Sequence, residues 1–340
     1  MQMESSRIEK FQFRDVHPDV FIGTASDRYA GWIGQIYSEN RYAGRIAHRK
    51  KSVGGKAFLE EVLPVDSVEE YFQHFRILEL DFTFYRPLKS KDGKPTPNFH
   101  ILHTYRQYLK KEDRLILKVP QAICARKLRR GGAYVENEQY LNPRVFIRQF
   151  YEPAKELLDP WLSGFIFEQE YQRKQDRPTS EEMARELDTF FNAVPRDVCY
   201  HVELRTETFL SEPVFSVFEN HGLGQVLSNW TWLPTLSHQF ALSGHRFFNA
   251  ERACIIRLMT PSGVRYEDAY TRAHPFNALV KGMQNEQLVM KTTELMRAAL
   301  DQGVRVNLII NNRYGGNAPI TAQHITRQFL GNRLDGPLYQ

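Results

Sequence analysis

Cysteine is scarce in this sequence: Cys124, Cys199 and Cys254 are the only three in 340 residues, and they lie far apart. That spacing offers no metal-type or redox-type pair, and it makes core positions the expected place for all three. Apolar runs long enough to cross a bilayer are missing, which excludes a membrane-spanning helix. The opening stretch, Met1 to Asp15, is polar and mixed in charge, unlike a secretory signal. A reducing cytoplasm is therefore the expected compartment. There is no G-x-S-x-G, H-E-x-x-H or Walker sequence, no repeat, no low-complexity tract and no evident linker. No motif names a cofactor. His100 and His103 stand three apart on an expected helix without a third ligand in view, so no metal site is expected.

What is present is alternation. Short apolar runs rich in β-branched and aromatic residues predict strands at Val20–Thr24, Ile77–Tyr85, Leu115–Val119, Phe165–Glu168, Val198–Arg205, Gln225–Asn229, Ala253–Leu258 and Val306–Asn311. Between them, apolar spacings of three and four predict helices such as Ser67–Phe75, Asn98–Leu109, Pro143–Leu158, Ser180–Ala193, Pro213–His221 and Asn285–Gln302. Leu236–Phe248 is weak as a helix, and Ala318–Leu330 reads as a closing one. Strand then helix, eight times over, is the order of a closed parallel sheet. An open doubly wound sheet would usually carry a glycine-rich turn after its first strand, and that turn here is Gly23-Thr24-Ala25-Ser26-Asp27. The expectation is an α/β chain folded as a single (β/α)8 TIM-type barrel with long βα loops. The barrel is expected over residues 16–335, behind an N-terminal extension, residues 1–15.

Several motifs resemble those of the YecE-like family, domain-of-unknown-function family 72. That family typically opens I-G-T-S-G-W-x-Y-x-x-W-x-G-x-x-Y, against Ile22-Gly23-Thr24 through Tyr29, Trp32, Gly34 and Tyr37 here. Its V-E-I-N-S-T-F-Y-R is matched by Leu78-Glu79-Leu80-Asp81-Phe82-Thr83-Phe84-Tyr85-Arg86. Lys118, the run Glu203-Leu204-Arg205, Arg257, and Asn311-Asn312 with Gly316 and Ala318 match later motifs in order. The resemblance implies a TIM-type barrel and no established activity. Departures fall at Ser26-Asp27, Ala125, Glu168, Thr206 and Leu258-Met259-Thr260, where the family usually has other groups.

Candidate chemistry follows from strand geometry, in which alternate residues share a face. Glu79, Asp81, Thr83 and Tyr85 are expected on one face of the second strand, and Glu203 with Arg205 on one face of the fifth. Buried charges must be paired. One reading is a structural network in which Lys118, Arg205 and Arg257 neutralise Glu79, Asp81, Glu168 and Glu203. The other makes Glu79, Asp81, Glu203 and Lys118 catalytic, with Tyr85, Arg86, Arg205 and Arg257 holding ligand. The last strand exits through Asn311-Asn312-Arg313-Tyr314-Gly315-Gly316-Asn317 into a helix start. Asn311, Asn312, Gly315, Gly316 and Asn317 are expected to bind a phosphate, with Arg257 and Arg313 supplying the charge, or this exit is simply a helix cap without a ligand.

Charge is uneven. The net is +5, yet two acid-free runs, Arg45, Arg49, Lys50, Lys51 and Lys56, then Arg126, Lys127, Arg129 and Arg130, hold nine cations, leaving the remainder at −4. Both runs, loops 45–56 and 126–130, follow strands and are expected on the C-terminal rim, as a basic mouth or as two solvated loops. Tyr29 and Trp32 either stack on a base or sugar ring or cover the barrel end. The leading expectation is an enzyme-like barrel binding a phosphorylated or otherwise anionic small molecule, by hydrolysis or isomerisation. The rivals are a nucleic-acid-binding barrel without catalysis and a scaffold that has lost its site.

Overall fold

The computed structural model describes residues 2–331. Eight strands close into a barrel: β1 Val20–Ala25, β2 Ile77–Leu80, β3 Arg114–Lys118, β4 Leu162–Gln169, β5 Tyr200–Leu204, β6 Gly224–Asn229, β7 Ala253–Leu258 and β8 Arg305–Ile310. The order around the barrel is β1-β8-β7-β6-β5-β4-β3-β2, and the pairs β1/β8, β3/β4, β4/β5 and β5/β6 are parallel. Helices Val68–His74, Pro97–Arg106, Ser180–Ala193, Glu212–His221, Glu286–Asp301 and Ala318–Phe329 stand where periodicity placed them, and Leu236–Leu242, within a segment weak as a helix in sequence, is helical too. No helix among the described residues is long and apolar enough to cross a membrane.

Contacts divide the chain into two compact units. The first runs through Leu78, takes in Ser228–Thr231 and resumes at Ile256. Its β1 pairs with β8 from Val20 opposite Val306 to Thr24 opposite Ile310. The loop after β1 is a hairpin, Ala47–Val53 with Lys56–Val62. Gly54 and Gly55 form its two-residue turn with φ of +56° and +79°, the paired positive values a type I′ turn demands. Phe58 packs edge-on against Tyr270, whose hydroxyl meets Glu60 at 2.6 Å. Residues expected as an extension are packed into this unit: Ile8 and Phe13 are buried, and the Arg14 guanidinium donates to the Phe72 carbonyl at 2.7 Å. At the other end of the expected barrel, residues 332–335 lie outside those described.

The second unit holds Glu79–Leu227 and Trp232–Ile255. β4 shows how its two faces divide. Phe167 packs on Phe146, Phe190 and Phe191 of the covering helices. A side chain at Gly164 would instead meet Ile116 and Ile255 of other strands. Gly164, Ile166 and Glu168 therefore face the barrel interior. The stretch predicted as one helix, Pro143–Leu158, carries a π turn at Ile147–Tyr151. Pro153 lacks an N–H for the Gln149 carbonyl four residues back, and that carbonyl accepts from Leu88 and Lys89 at 2.9 Å instead. The loop after β2 is pinned there.

Strand β2 is shorter than expected. It stops at Leu80, and Asp81–Tyr85 form a 3-10 turn. Thr83 closes that turn by donating to the Leu80 carbonyl at 3.0 Å and the Lys118 carbonyl at 2.7 Å. The local bond to Leu80 and the tertiary one to Lys118 of β3 together override the strand propensity of an aromatic and β-branched run. The expected single face of Glu79, Asp81, Thr83 and Tyr85 is thereby broken.

His324 on the helix Ala318–Phe329 is buried, its Nδ1 without a hydrogen-bond partner. Burial, reinforced by the Arg327 charge, lowers its pKa from 6.5 to about 4. Below 6.5 the unfolded chain takes up a proton that the folded chain refuses, so stability falls as pH drops towards 4. Urea unfolding at pH 7.5 and 4.5 should show a loss of about 2 kcal/mol in the wild type that His324→Leu largely removes.

Candidate functional site

In the second unit, three neighbouring strands end in ionisable side chains. β3 ends on Lys118, β4 carries Glu168 next to its last residue, and β5 carries Glu203 with Arg205 immediately after it. Glu168 and Glu203 are register partners, so both face inward. Lys118 Nζ lies 2.5 Å from Glu168 Oε2, and Arg205 Nη2 reaches the same oxygen at 2.7 Å. Arg205 Nε approaches Glu203 Oε1 at 3.3 Å. All four are largely withdrawn from solvent; Glu203 is fully buried, while the Lys118 and Arg205 side chains keep 9% and 12% of their exposure. These contacts set cations directly against carboxylates, the pairing that buried charge requires. Phe84 lies against the ammonium, with Lys118 Nζ 3.9 Å from the ring centroid.

Lys118, Glu203 and Arg205, singled out from sequence, are thus brought together. Glu168, noted only as a departure and a network partner, is the hub. Glu79 is fully buried, and Asp81 lies in the 3-10 turn. Tyr85, 69% exposed, and Arg86 project into solvent. Arg257 is fully buried and shares a face of β7 with the inward-pointing Ile255.

In the first unit, the loop after β8 is closed upon itself. Trp32 is buried, and its Nε1 donates to Asn312 Oδ1 at 3.2 Å. Ala318 N donates to the same oxygen at 2.8 Å. Asn317 caps the helix by accepting from Ile320 N at 2.9 Å, while its amide donates to the Phe276 carbonyl and to Gln35. Asn311 accepts from Arg313 N at 3.0 Å. Pro319 has no N–H, so the first amides of the helix are used within the protein. Gly316 has φ +105°, and a Cβ there would lie 2.5 Å from the Ala278 carbonyl. The Gly315 carbonyl accepts from Val280 N at 2.9 Å. The close backbone approach expected for a phosphate at Gly315, Gly316 and Asn317 is made by residues 278–280 instead. Arg313 lies over Tyr266, 4.3 Å from its centroid. Tyr29 packs on Trp32 and Phe276, so both aromatics cover this part of the fold and do not form an open platform.

The acid-free basic runs are not acid-free in space. Lys51 meets Glu60 at 2.8 Å across its hairpin, and Arg45 meets Asp66 at 2.8 Å. The second run also forms a hairpin, Lys127–Arg130 with Ala133–Glu136, turning on Gly131 and Gly132 at φ +56° and +87°. Lys127 pairs with Asp176 at 2.8 Å and Arg126 with Glu186. Among the described residues Arg49, Lys50, Lys56 and Arg129 have no ion pair; the Arg130 side chain lies outside them. No group of three His, Cys, Asp or Glu side chains able to hold a metal occurs among the described residues. The three cysteines are buried free thiols, and burial pushes Cys199 up to about 12, far from a thiolate nucleophile at neutral pH.

A family model described as protein of unknown function DUF72 matches residues 21–337. The chain belongs to this family. A crystal structure of a DUF72 protein from Thermotoga maritima is 14% identical, with a TM-score of 0.56 over 92% of this chain and 99% of that one. Another, from Enterococcus faecalis, is 15% identical, with a TM-score of 0.54 over 94% and 98%. At this identity the likeness is one of fold, and it supports the barrel. No curated protein matches the DUF72 chain described here.

Two substitutions test the site's construction. Glu168→Gln leaves Lys118 and Arg205 facing each other without their shared carboxylate and should cost about 3 kcal/mol in equilibrium unfolding. Gly316→Ala should destabilise by at least about 1–3 kcal/mol, from the positive φ and the clash with the Ala278 carbonyl; wild-type stability would show instead that the loop has room to move.

Proposed function

We propose that the protein is an enzyme-like barrel that binds a small phosphorylated or otherwise anionic ligand beside Lys118, Glu168, Glu203 and Arg205. Hydrolysis or isomerisation is the reaction class. One observation carries this reading: two cations share one carboxylate oxygen of Glu168 at the ends of three successive strands. Barrel enzymes place their chemistry at the C-terminal ends of strands. The position of the cluster at these strand ends is what favours a ligand over a network serving stability alone.

The roles follow from the groups. Lys118 and Arg205 are donors suited to ligand oxygens, and an arriving anion would share them with Glu168. Glu168, reached by both cations, is the carboxylate placed to exchange a proton with a bound ligand, and Glu203 orients Arg205. Phe84 and the Thr83 turn hold the end of β3 in place, so the ammonium keeps its position as ligand enters. The anion-binding charge belongs to this cluster, since the helix start after β8 uses its amides internally.

The test is thermal unfolding with inorganic phosphate and a panel of sugar phosphates and carboxylates. At a hundredfold excess over Kd, a true ligand should stabilise the wild type by about 2.7 kcal/mol. Lys118→Met, which keeps the stem and removes the charge, should abolish that gain. Equal stabilisation of wild type and Lys118→Met would refute the assignment, as would no response to any member of the panel.

A further inference from the structure

Two aromatic side chains of the second unit face solvent side by side. Tyr171 follows β4 and is 42% exposed; Trp232 follows β6 and is 51% exposed. Their ring centroids are 5.4 Å apart, inclined by 31°. Both come from loops after strand ends, on the face where barrels bind ligands. Neither loop is loose at its base. Gln172 N donates to the buried Thr206 hydroxyl at 2.9 Å, and Arg177 donates to the Gln172 carbonyl at 3.0 Å. Beyond Trp232, the buried Gln239 donates to the Pro234 carbonyl at 2.7 Å. The rings are therefore presented from fixed backbone.

Cations lie on the Tyr171 loop and on a hairpin tied to it. Arg173 and Lys174, next along the Tyr171 loop, are exposed and have no ion pair among the described residues. The hairpin Lys127–Glu136 is tied to the same loop, because Lys127 N donates to Glu170 and Lys127 Nζ meets Asp176. That hairpin exposes Arg129 and, directly opposite it in register, Tyr134, 64% exposed. Exposed rings interleaved with unpaired cations suit a chain of planar bases joined by phosphates. A neutral sugar would use the rings and leave the cations without purpose.

We infer that this surface binds single-stranded nucleic acid, one base stacking on the Tyr171–Trp232 pair and the backbone phosphates meeting Arg173, Lys174 and Arg129. The inference is independent of the Glu168 cluster, which none of these residues forms.

Fluorescence anisotropy of a labelled twelve-nucleotide oligo(dT) with the full chain tests it. Trp232→Ala should weaken binding about 10-fold or more with the salt dependence unchanged, since it removes stacking and no charge. Arg173→Ser with Lys174→Ser should lower the log–log salt slope by about 0.7 for each phosphate that the variant leaves without a cation. Both variants alter exposed side chains, and unchanged thermal unfolding would confirm intact folds. Three results would overturn the inference: no binding by the wild type, equal binding by Trp232→Ala, or heparin competing equally against wild type and Trp232→Ala. Trp232 quenching by a neutral oligosaccharide without oligonucleotide binding would assign the platform to carbohydrate and reject nucleic acid. Glu168→Gln should leave oligonucleotide affinity unaltered, which separates this surface from the small-molecule site.

Discussion

Glu168 accepts from Lys118 and Arg205 on one oxygen, and the end of the β3–β4–β5 sheet is organised around that contact. Charges drawn from water at this depth are tolerated only when opposite charges meet them at hydrogen-bonding distance. The pairing restricts the strands: Glu168 must face inward opposite Glu203, and Lys118 must end β3 within reach. A slip of one residue in any of the three would turn a charge towards the helices, into aromatic packing around Phe167. The cluster thereby ties strand register to the chemistry proposed for it.

The loops around it follow a second constraint, that backbone polar groups leaving a strand need partners. Thr83 answers it after β2 by bonding the Leu80 and Lys118 carbonyls, so the turn that carries Phe84 is locked to the end of β3. After β8, Asn311, Asn312 and Asn317 each accept a backbone N–H. The asparagine-rich exit is thus a self-sufficient cap, and its glycines admit the protein's own residues 278–280. The same residue types serve a phosphate cradle and a closed cap, and only the identity of the approaching chain distinguishes them.

The basic runs show how a linear reading of charge misleads. The two hairpins bring acids to these runs: Glu60 of the returning arm meets Lys51, and Glu136 of the second hairpin and Asp176 of the loop after β4 meet Lys127. The signal was present in both places as Gly-Gly between alternating residues, a two-residue hairpin turn. Arg129 of the second run has no ion pair among the described residues and lies in register opposite the exposed Tyr134. The exposed aromatic pair is Tyr171 with Trp232, whereas Trp32 is buried and Tyr29 packs on Trp32 and Phe276.

Periodicity in the sequence was enough to place eight strands, most of the helices and the closed barrel, because burial on a sheet face or a helix stripe leaves a local pattern. The family resemblance marked Lys118, Glu203 and Arg205, and strand alternation put the last two on one face. The shortening of β2 was not legible, because the Lys118 carbonyl that helps turn Thr83 comes from another strand. Nor was Glu168 as hub, the internal use of the amides at Ala318 and Ile320, or the meeting of Tyr171 with Trp232 across sixty residues of chain. Each of these depends on which groups distant segments bring within a few ångströms. Hydrogen bonds and ion pairs act only at that range, so tertiary structure alone decided them.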